Sequence, residues 1–349
     1  MTQLTWQPIT LNLRNPFRVS YGVSETRTAF WLRLAGDSGW GEGTIPPYYG
    51  VDTAAMAAYW AQMARRADPL PANVGQIAAW VGADGPAPAR CALDLALHDR
   101  LGRQQGVPLY ALLGLPRPGP KPTSFTIGIA RPAEMARLAA EARHYPILKL
   151  KLGSDDDVAR LAAVRAARPE AELCVDANGG WSPAGAVATI QALQPYGLSF
   201  VEQPLPKGNL DGLGYVQSQV TLPIVADESV QTLADIERLA ALGVQGVNIK
   251  LMKVGGLAPG LQMVQRARAL GLRVMLGCMV ETSLGVTAMA HLAGLADWLD
   301  LDAPLLIAND PFDGVTYDAA AHLHLPTRPG IGALWRGQAA SIPTNNLET

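Results

Sequence analysis

The chain has 349 residues, of which 49% are hydrophobic and 17% are charged, and its formal net charge is −2. This composition fits a globular protein with a sizeable core and lacks the positive charge that binding to nucleic acid or an anionic membrane requires. No segment approaches the roughly 18 consecutive apolar residues of a membrane span, and the first residues show no basic stretch before an apolar run. We therefore expect a cytoplasmic protein with small-molecule partners.

The first 120 residues combine strand and helix patterns. Residues 4–13 and 28–36 predict neighbouring antiparallel strands that are joined by a loop over 14–25. Apolar residues at helical spacing follow, most clearly over 88–106. We therefore predict an α+β capping domain over residues 1–120.

From residue 121 onward, short apolar runs alternate with Ala- and Leu-rich helical segments. This alternation predicts right-handed βαβ units and a parallel sheet. Eight such units, about 25 residues apart, favour a closed (β/α) barrel over residues 121–310. The segment 311–349 is rich in turns and is expected to pack back on the capping domain. The predicted strands are 123–130, 147–153, 171–178, 198–204, 222–229, 246–252, 273–279 and 297–304.

Three carboxylates recur at the carboxyl ends of consecutive predicted strands. Asp176, Glu202 and Asp227 are separated by 26 and 25 residues. Active-site groups of such barrels lie at these ends, and adjacent strands are about 4.8 Å apart, so three acids at one level repel one another unless a cation lies between them. Oxygen-only ligands suit a hard divalent ion, which predicts a Mg²⁺ site. A single acid at a strand end is more often a helix cap or a surface ion-pair partner, but three in register disfavour that interpretation.

Lysines follow two strands that lie nearly opposite each other in an eight-stranded barrel, Lys151 on the second and Lys250 on the sixth. A carboxylate bound to Mg²⁺ can lose its α-proton to a lysine because the metal stabilises the ene-diolate, and burial beside cations lowers the pKa of the lysine. Opposed amines allow removal on one face and return on the other, which is racemisation or epimerisation. Lys149 is either a charge neighbour that tunes Lys151 or a ligand of the substrate carboxylate. Lys253 lies beyond the sixth strand. The alternative to a role in the site is that its side chain extends along the strand end and its ammonium reaches solvent.

The motifs around these residues resemble those of the enolase superfamily, muconate-lactonising enzyme subgroup. They are KLK at 149–151, VDANGGW at 175–181, VEQP at 201–204, ADES at 226–229 and NIKLMKVGG at 248–256. The resemblance covers essentially the whole chain and implies a modified TIM barrel of the (β/α)7β type, with a capping domain that the C-terminal tail completes. The residues it implies are the Mg²⁺ ligands Asp176, Glu202 and Asp227, the acid/base pair Lys151 and Lys250, and Asn178 and Glu228 beside the metal ligands.

The segment LDLDAP at 299–304 is similar to the Asp-x-Asp of dipeptide epimerases, where the pair binds the N-terminal ammonium of the substrate. Asp300 and Asp302 share one strand face, and two carboxylates can pair with an ammonium in a desolvated site. Acids that cap the following turn are the alternative explanation. The other expected substrate contacts are Lys149, Tyr21, Tyr48, Tyr49, Met279 and Glu281.

Side-chain specificity is predicted from the capping-domain loops. Epimerases for Ala-Glu dipeptides generally carry an arginine in the first of these loops, where Tyr21 and Gly22 stand in this chain and Arg18 lies nearer the strand. The second loop adds Tyr48 and Tyr49. These tyrosines favour a second substrate residue that is not strictly Glu and includes apolar or aromatic ones.

The leading hypothesis is a Mg²⁺-dependent dipeptide epimerase, an isomerase that moves a proton at the α-carbon of the C-terminal residue. Alternatives are an N-acylamino acid racemase, an o-succinylbenzoate synthase or a muconate cycloisomerase, whose substrates bring no ammonium for Asp300 and Asp302. A metal-binding barrel without catalysis is a third hypothesis, which the opposed lysines disfavour. The expected partners are a small-molecule dipeptide and further copies of the chain in a homo-oligomer, with neither nucleic acid nor a membrane.

Overall fold

The structure is a computed structural model that describes residues 4–337. Its N-terminal part packs a three-stranded antiparallel sheet, in the order β1-β2-β3, against helices. The helix α3 is buried along most of its length because Ala, Leu and Cys fill the positions that face the sheet and the barrel. The elements are β1 (Leu4–Val19), β2 (Gly22–Leu34), β3 (Trp40–Gly43), α1 (Thr53–Ala64), α2 (Ile77–Val81), α3 (Ala87–Gln105) and α4 (Leu109–Leu112).

The hairpin β1–β2 is longer than the sequence predicts, and the loop predicted over 14–25 is wrong. The strands pair to their ends, with Val19 opposite Gly22. Their register shifts between Asn12 and Phe17. Pro16 lies in this irregular stretch and has no N–H to donate to a ladder, so local patterns predict a loop there. The extended hairpin carries Tyr21, at its tip, towards the mouth of the barrel.

The barrel is an eight-stranded parallel sheet in the order β5 to β12, which confirms the predicted fold class. A short strand, β4 (Lys121–Pro122), leads into it. The N–H of Ser124 donates to the carbonyl of Leu299 at 3.0 Å, which joins the first strand to the last. The strands are β5 (Phe125–Ile127), β6 (Ile147–Lys151), β7 (Glu172–Asp176), β8 (Leu198–Glu202), β9 (Ile224–Ala226), β10 (Gly246–Ile249), β11 (Arg273–Gly277) and β12 (Trp298–Asp300).

Helices cover the outside of the barrel. Several begin with a side-chain cap, such as the reciprocal pair that Thr232 and Asp235 form at the start of α9. After β12 the helix shrinks to the four residues of α13, as the (β/α)7β pattern predicts. The helices are α5 (Pro132–Glu141), α6 (Asp157–Ala167), α7 (Pro183–Leu193), α8 (Leu210–Gln219), α9 (Leu233–Ala241), α10 (Leu251–Val254), α11 (Leu257–Ala269), α12 (Ser283–Ala290) and α13 (Ala303–Leu306).

The strand β6 separates apolar from charged side chains. Leu148 and Leu150 are fully buried in the core between the sheet and the helices. Lys149 and Lys151 alternate with them and therefore point into the barrel, because successive side chains of a strand face opposite sides. The two lysines thus enter the interior at its carboxyl end.

The described part of the C-terminal segment, residues 311–337, packs against the capping domain. Gly330 exchanges backbone hydrogen bonds of 2.9 Å with Val107 and Leu109, and Trp335 stacks on Trp40 with ring centroids 5.7 Å apart. We propose domain boundaries near residues 120 and 310. Among the described residues, the helices lack the length and hydrophobicity that crossing a bilayer needs. The last strands are β13 (Phe312–Asp313), β14 (Thr316–Tyr317), β15 (His322–His324) and β16 (Leu334–Trp335).

Candidate active site

A cavity of about 300 Å³ lies between the carboxyl ends of the barrel strands and the capping domain. The barrel contributes charged side chains, among them Lys151 and Lys250, and the capping domain contributes aromatic and apolar ones. Active sites of such barrels form at this end because the loops after the strands converge there. The cavity is therefore the candidate active site.

The three predicted metal ligands meet at one point beneath the cavity. Asp176 ends β7, Glu202 ends β8, and Asp227 follows β9 directly. One oxygen from each lies within 4.8 Å of the others, and all three side chains are buried. The pKa of Glu202 is raised to about 8 because of its burial and the neighbouring Asp176. Burial also opposes ionisation of Asp227, but nearby lysines hold its pKa well below the usual value.

Glu202 shows why this cluster fits a divalent cation. Its Oε1 accepts a hydrogen bond of 2.8 Å from Asn248. Its Oε2 lies 2.6 Å from Nζ of Lys149, in an ion pair that lacks regular hydrogen-bond geometry among the described residues. Three buried carboxylates form an all-oxygen donor set of the kind that Mg²⁺ prefers.

The two candidate acid/base lysines approach this cluster from opposite strands of the barrel. Nζ of Lys151 donates to Asp176 at 2.6 Å, and Nζ of Lys250 donates to Asp227 at 2.7 Å. Burial by itself lowers the pKa of Lys250, yet the carboxylates around it, Asp227 first, raise that pKa above its ordinary value. The neighbouring Lys149 does lower the pKa of Lys250, as expected, but the carboxylates outweigh this effect.

Lys149 does not line the cavity, contrary to the predicted substrate contact. Its side chain is fully buried, and its Nζ lies 2.7 Å from Asp300, 2.6 Å from Glu202 and 3.2 Å from Asp176. Three carboxylates thus surround one ammonium. Of the two predicted roles, this position favours that of a charge neighbour.

Lys253 does not reach solvent either. It is 3% exposed and donates to the carboxylate and the carbonyl oxygen of Asp227, as well as to the carbonyl oxygen of Asn248 at 3.0 Å. The turn α10 folds it back because this turn begins at Lys250, directly after β10. Lys253 therefore fixes the orientation of Asp227.

Asn178 and Glu228 lie beside the metal ligands and also line the cavity. Asn178 donates from its backbone to Asp176 at 2.8 Å and from its side chain to Glu228 at 3.0 Å. Its φ of 43° turns the chain directly after Asp176. The pKa of Glu228 is raised to about 7 because of burial and the neighbouring Asp227. These contacts orient the cluster.

The structure distinguishes the two acids of LDLDAP. Asp300 uses both of its oxygens, one for Oγ of Ser124 and the other for Nζ of Lys149, each at 2.7 Å. Oδ2 of Asp302 accepts a hydrogen bond of 2.7 Å from the N–H of Thr126, while its Oδ1 accepts no hydrogen bond from the described residues. Although Asp302 precedes α13, its side chain does not cap that helix, which counts against the capping explanation. Burial and the neighbouring Asp300 raise the pKa of Asp302 to about 7.

Aromatic side chains of the capping domain form the outer wall of the cavity. Tyr21 stacks on Tyr48 with ring centroids 4.3 Å apart, and Tyr48 meets Tyr49 edge-on at 5.7 Å. Nζ of Lys207, from the loop after β8, lies 5.1 Å from the centres of both Tyr48 and Tyr49. The predicted tyrosines thus stand together, and a barrel lysine holds two of them in place.

Met279 lines the cavity as predicted, but Glu281 does not. Oε1 of Glu281 accepts a hydrogen bond of 2.9 Å from the N–H of Met279. Its Oε2 packs so closely against Gly285 that a Cβ on that glycine would collide with it. Burial, and next the nearby Glu42, raise the pKa of Glu281 well above its ordinary value. This side chain turns into the interface between barrel and capping domain, which does not favour the predicted substrate contact of Glu281.

Sequence reasoning missed Arg27 on the wall of the cavity. This residue lies on β2 and donates to Ser24 at 3.1 Å, while its buried Nε lacks an acceptor in the described part of the chain. The pKa of Arg27 is lowered by burial. Arg18, which the sequence suggests as the basic residue, is exposed and lies outside the cavity. The predicted strand began at residue 28, and extending its alternation back to residue 27 would have indicated Arg27.

Comparisons with known proteins agree with this arrangement. Residues 132–339 match the family described as "Enolase C-terminal domain-like", and residues 1–114 match the "Mandelate racemase / muconate lactonizing enzyme, N-terminal domain". The L-Ala-D/L-Glu epimerase of Bacteroides thetaiotaomicron is 36% identical over 95% of this chain and 88% of its own length. The hydrophobic dipeptide epimerase of Roseobacter litoralis is 37% identical over 95% of this chain and 98% of its own length.

A solved structure shows the same fold in detail. The dipeptide epimerase of Cytophaga hutchinsonii, in complex with Mg and the dipeptide D-Ala-L-Val, superimposes with a TM-score of 0.90 at 27% identity. The superposition covers 97% of this chain and 96% of that one. The chain belongs to the enolase superfamily, in its mandelate racemase and muconate-lactonising branch.

Proposed function

We propose that this protein is a dipeptide epimerase that depends on Mg²⁺ and inverts the α-carbon of the C-terminal residue. The observation that carries this proposal is the placement of Lys151 and Lys250 on opposite sides of three metal-binding carboxylates, in one cavity that also contains Asp302. Relatives named dipeptide epimerases and L-Ala-D/L-Glu epimerases support it.

The carboxylate cluster would bind the acidic end of the substrate. Mg²⁺ held by Asp176, Glu202 and Asp227 would polarise the substrate carboxylate and stabilise the negative charge that develops when the α-proton leaves. The protein supplies the rest. Asn178 and Lys253 hold the carboxylates in orientation, so little reorganisation accompanies the reaction.

The two lysines would exchange the proton. A neutral lysine on one face takes the α-proton, and the protonated lysine on the other face returns one to the same carbon, which inverts its configuration. Because Lys151 points from β6 and Lys250 follows β10, each would face its own side of the α-carbon. In the reverse direction they exchange roles.

Asp302 would bind the free ammonium of the first residue. Asp302 lines the cavity, its Oδ1 accepts no hydrogen bond from the described residues, and a buried carboxylate gains most from a cationic partner where water is excluded. N-acyl substrates bring no such cation. This oxygen therefore favours dipeptides over the alternatives within the family.

The side chain of the second residue would lie among the capping-domain residues. Tyr21 and Tyr49 offer apolar contact, while Arg27 adds a cation without a carboxylate partner among the described residues. Such a wall accepts an apolar or aromatic side chain and can also pair with an acidic one. We therefore keep the proposal that the preference is not strictly Glu.

Deuterium exchange tests the activity directly. The protein is incubated in D₂O with Mg²⁺ and a library of L,L-dipeptides, and mass spectrometry measures the gain of one deuterium. We expect exchange in a subset of dipeptides. Exchange in N-acyl amino acids alone would instead identify another activity of the family.

Alanine variants of the lysines test the proton path. We expect Lys151→Ala and Lys250→Ala to lose epimerisation by roughly 10² to 10⁴-fold, since each removes one acid/base group. Each variant should still exchange the α-proton of the epimer that faces its remaining lysine, which NMR in D₂O would detect. Lys121→Ala, at the opposite end of the barrel, should keep full turnover. Normal epimerisation by either active-site variant contradicts the two-base path.

The assembly and the location of the protein stay predictions. A homo-oligomer would give a mass of two or more chains by light scattering. A cytoplasmic location would be visible by fractionation of the source cells.

A further inference from the structure

We propose that Lys149 and Asp300 form a positioning pair that tunes the metal site, and that Asp300 acts on Mg²⁺ binding through Lys149. The inference rests on the proposed function only in taking Asp176, Glu202 and Asp227 as the metal ligands. Asp300 lines the cavity as Asp302 does, and its pairing with Lys149 gives it a task that Asp302 lacks.

Lys149 joins two groups of charges inside the barrel. Its fully buried Nζ lies within 3.2 Å of two metal-binding carboxylates, those of Glu202 and Asp176. On its other side it donates to Oδ2 of Asp300 at 2.7 Å. One ammonium is thus shared between the metal site and the end of β12.

Asp300 is built into this arrangement from both sides. Oγ of Ser124, at the start of the barrel, donates to its Oδ1 at 2.7 Å, and Ser124 is itself buried. With both oxygens bonded to protein, Asp300 is oriented towards Lys149. Asp302 differs because, among the described residues, only one of its oxygens accepts a hydrogen bond, from the N–H of Thr126.

The charges decide what this pair does. A buried ammonium 2.6 Å from Oε2 of Glu202 competes electrostatically with any cation that uses the same oxygen. The carboxylate of Asp300 offsets that positive charge and draws Lys149 towards β12. Without the negative charge of Asp300, Lys149 would be a stronger competitor, and affinity for Mg²⁺ would fall.

Isothermal titration of the full-length protein with Mg²⁺ tests this inference without any substrate. We expect Asp300→Asn to weaken Mg²⁺ binding by roughly tenfold or more, although Asp300 is not a metal ligand. Asp302→Asn is the matched control in the same loop and should stay within about twofold of the unaltered protein, because Asp302 does not contact Lys149. Ser124→Ala, which removes one hydroxyl, should give a smaller loss in the same direction and serves if Asp300→Asn fails to fold.

The kinetic constants separate this inference from general damage to the fold. Such damage would raise the KM for Mg²⁺ and the KM for the dipeptide alike. In the exchange assay, Asp300→Asn should raise the KM for Mg²⁺ more than the KM for the dipeptide, and Asp302→Asn should do the reverse. Equal Mg²⁺ affinity of Asp300→Asn and the unaltered protein overturns the inference, as does an equal loss in both variants. If the Mg²⁺ pattern holds while dipeptides fail to exchange, the proposed function alone is wrong.

Discussion

Lys149 and Lys151 are two residues apart on one strand, yet their surroundings separate them. Lys151 lines the cavity and pairs with Asp176, whereas Lys149 is enclosed by three carboxylates. The difference arises because the strand end carries Lys151 one layer nearer to the mouth of the barrel. Depth in the barrel therefore separates Lys151, which lines the cavity, from Lys149, which only balances charge.

Arg27 leads to a prediction about selectivity. We expect Arg27→Gln to lower kcat/KM by about tenfold or more for dipeptides that end in Glu, because a carboxylate side chain loses its charged partner. Dipeptides that end in Leu should change by less than about threefold. Deuterium exchange on L-Ala-L-Glu and L-Ala-L-Leu measures both.

Arg18→Gln is the matched control for this experiment, since Arg18 is exposed and lies outside the cavity. An equal effect of Arg27→Gln on both dipeptides contradicts a role for Arg27 in selectivity. So does a lack of exchange of the Glu dipeptide in the unaltered protein.

The loops after β6 and β7 pack together through glycines. A Cβ at Gly180 would lie 2.7 Å from the Cα of Gly153 and collide with its carbonyl oxygen. The loop after β7 carries Asn178, and Gly153 lies two residues beyond Lys151. Close contact between the two loops keeps the lysine and the carboxylate cluster in one geometry.

Gly180→Ala tests this packing. We expect it to destabilise the protein by about 1–3 kcal/mol, because the added methyl group meets backbone that can yield only by moving a loop. Urea unfolding measures the loss, and deuterium exchange should fall with it. Gly119→Ala is the control, since a Cβ there has open space, and its free energy of unfolding should change by less than about 0.5 kcal/mol. Equal stability of the two variants contradicts the prediction.

Three parts of the molecule meet at His291, which follows α12 in the barrel. Its Nδ1 accepts a hydrogen bond of 3.1 Å from the N–H of Tyr110 in the capping domain. Its Nε2 lies 3.0 Å from the carbonyl oxygen of Ile331 in the tail. These partners require a neutral ring with the proton on Nε2. One imidazole of the barrel thus forms hydrogen bonds to both the capping domain and the tail.

Stability should therefore fall in acid. Burial lowers the pKa of His291 to about 4, from its ordinary value of 6.5. Between these pH values the imidazole is protonated in the unfolded chain but neutral in the folded protein. The contribution of His291 to the free energy of unfolding is therefore complete above pH 6.5. It falls by about 3 kcal/mol as the pH drops to 4. Urea unfolding over this pH range, compared with His291→Gln, isolates the effect.

In that comparison, His291→Gln should be less stable near neutral pH and less sensitive to acid. His324→Gln removes an exposed histidine and should keep the pH dependence of the unaltered protein. Identical pH dependence in His291→Gln would contradict the assignment.

Local patterns were sufficient for the barrel and for the chemistry at its centre. All eight strands lie within the predicted segments because buried parallel strands and amphipathic helices have distinct periods. Strand ends converge in a closed barrel, so Asp176, Glu202 and Asp227 could be placed together from their spacing, and Lys151 and Lys250 on either side of them.

The tertiary structure decided which charged side chains line the cavity and which pair with one another. Asp300 and Lys149 turned out to bind each other, Glu281 faces the capping domain, and Arg27 entered the cavity on a hairpin that local patterns had interrupted at Pro16. The physical reason is that the role of a buried charge depends on the partners that face it. Those partners come from distant parts of the chain, as Ser124 and Asp300 do, and spacing along one segment carries no record of them.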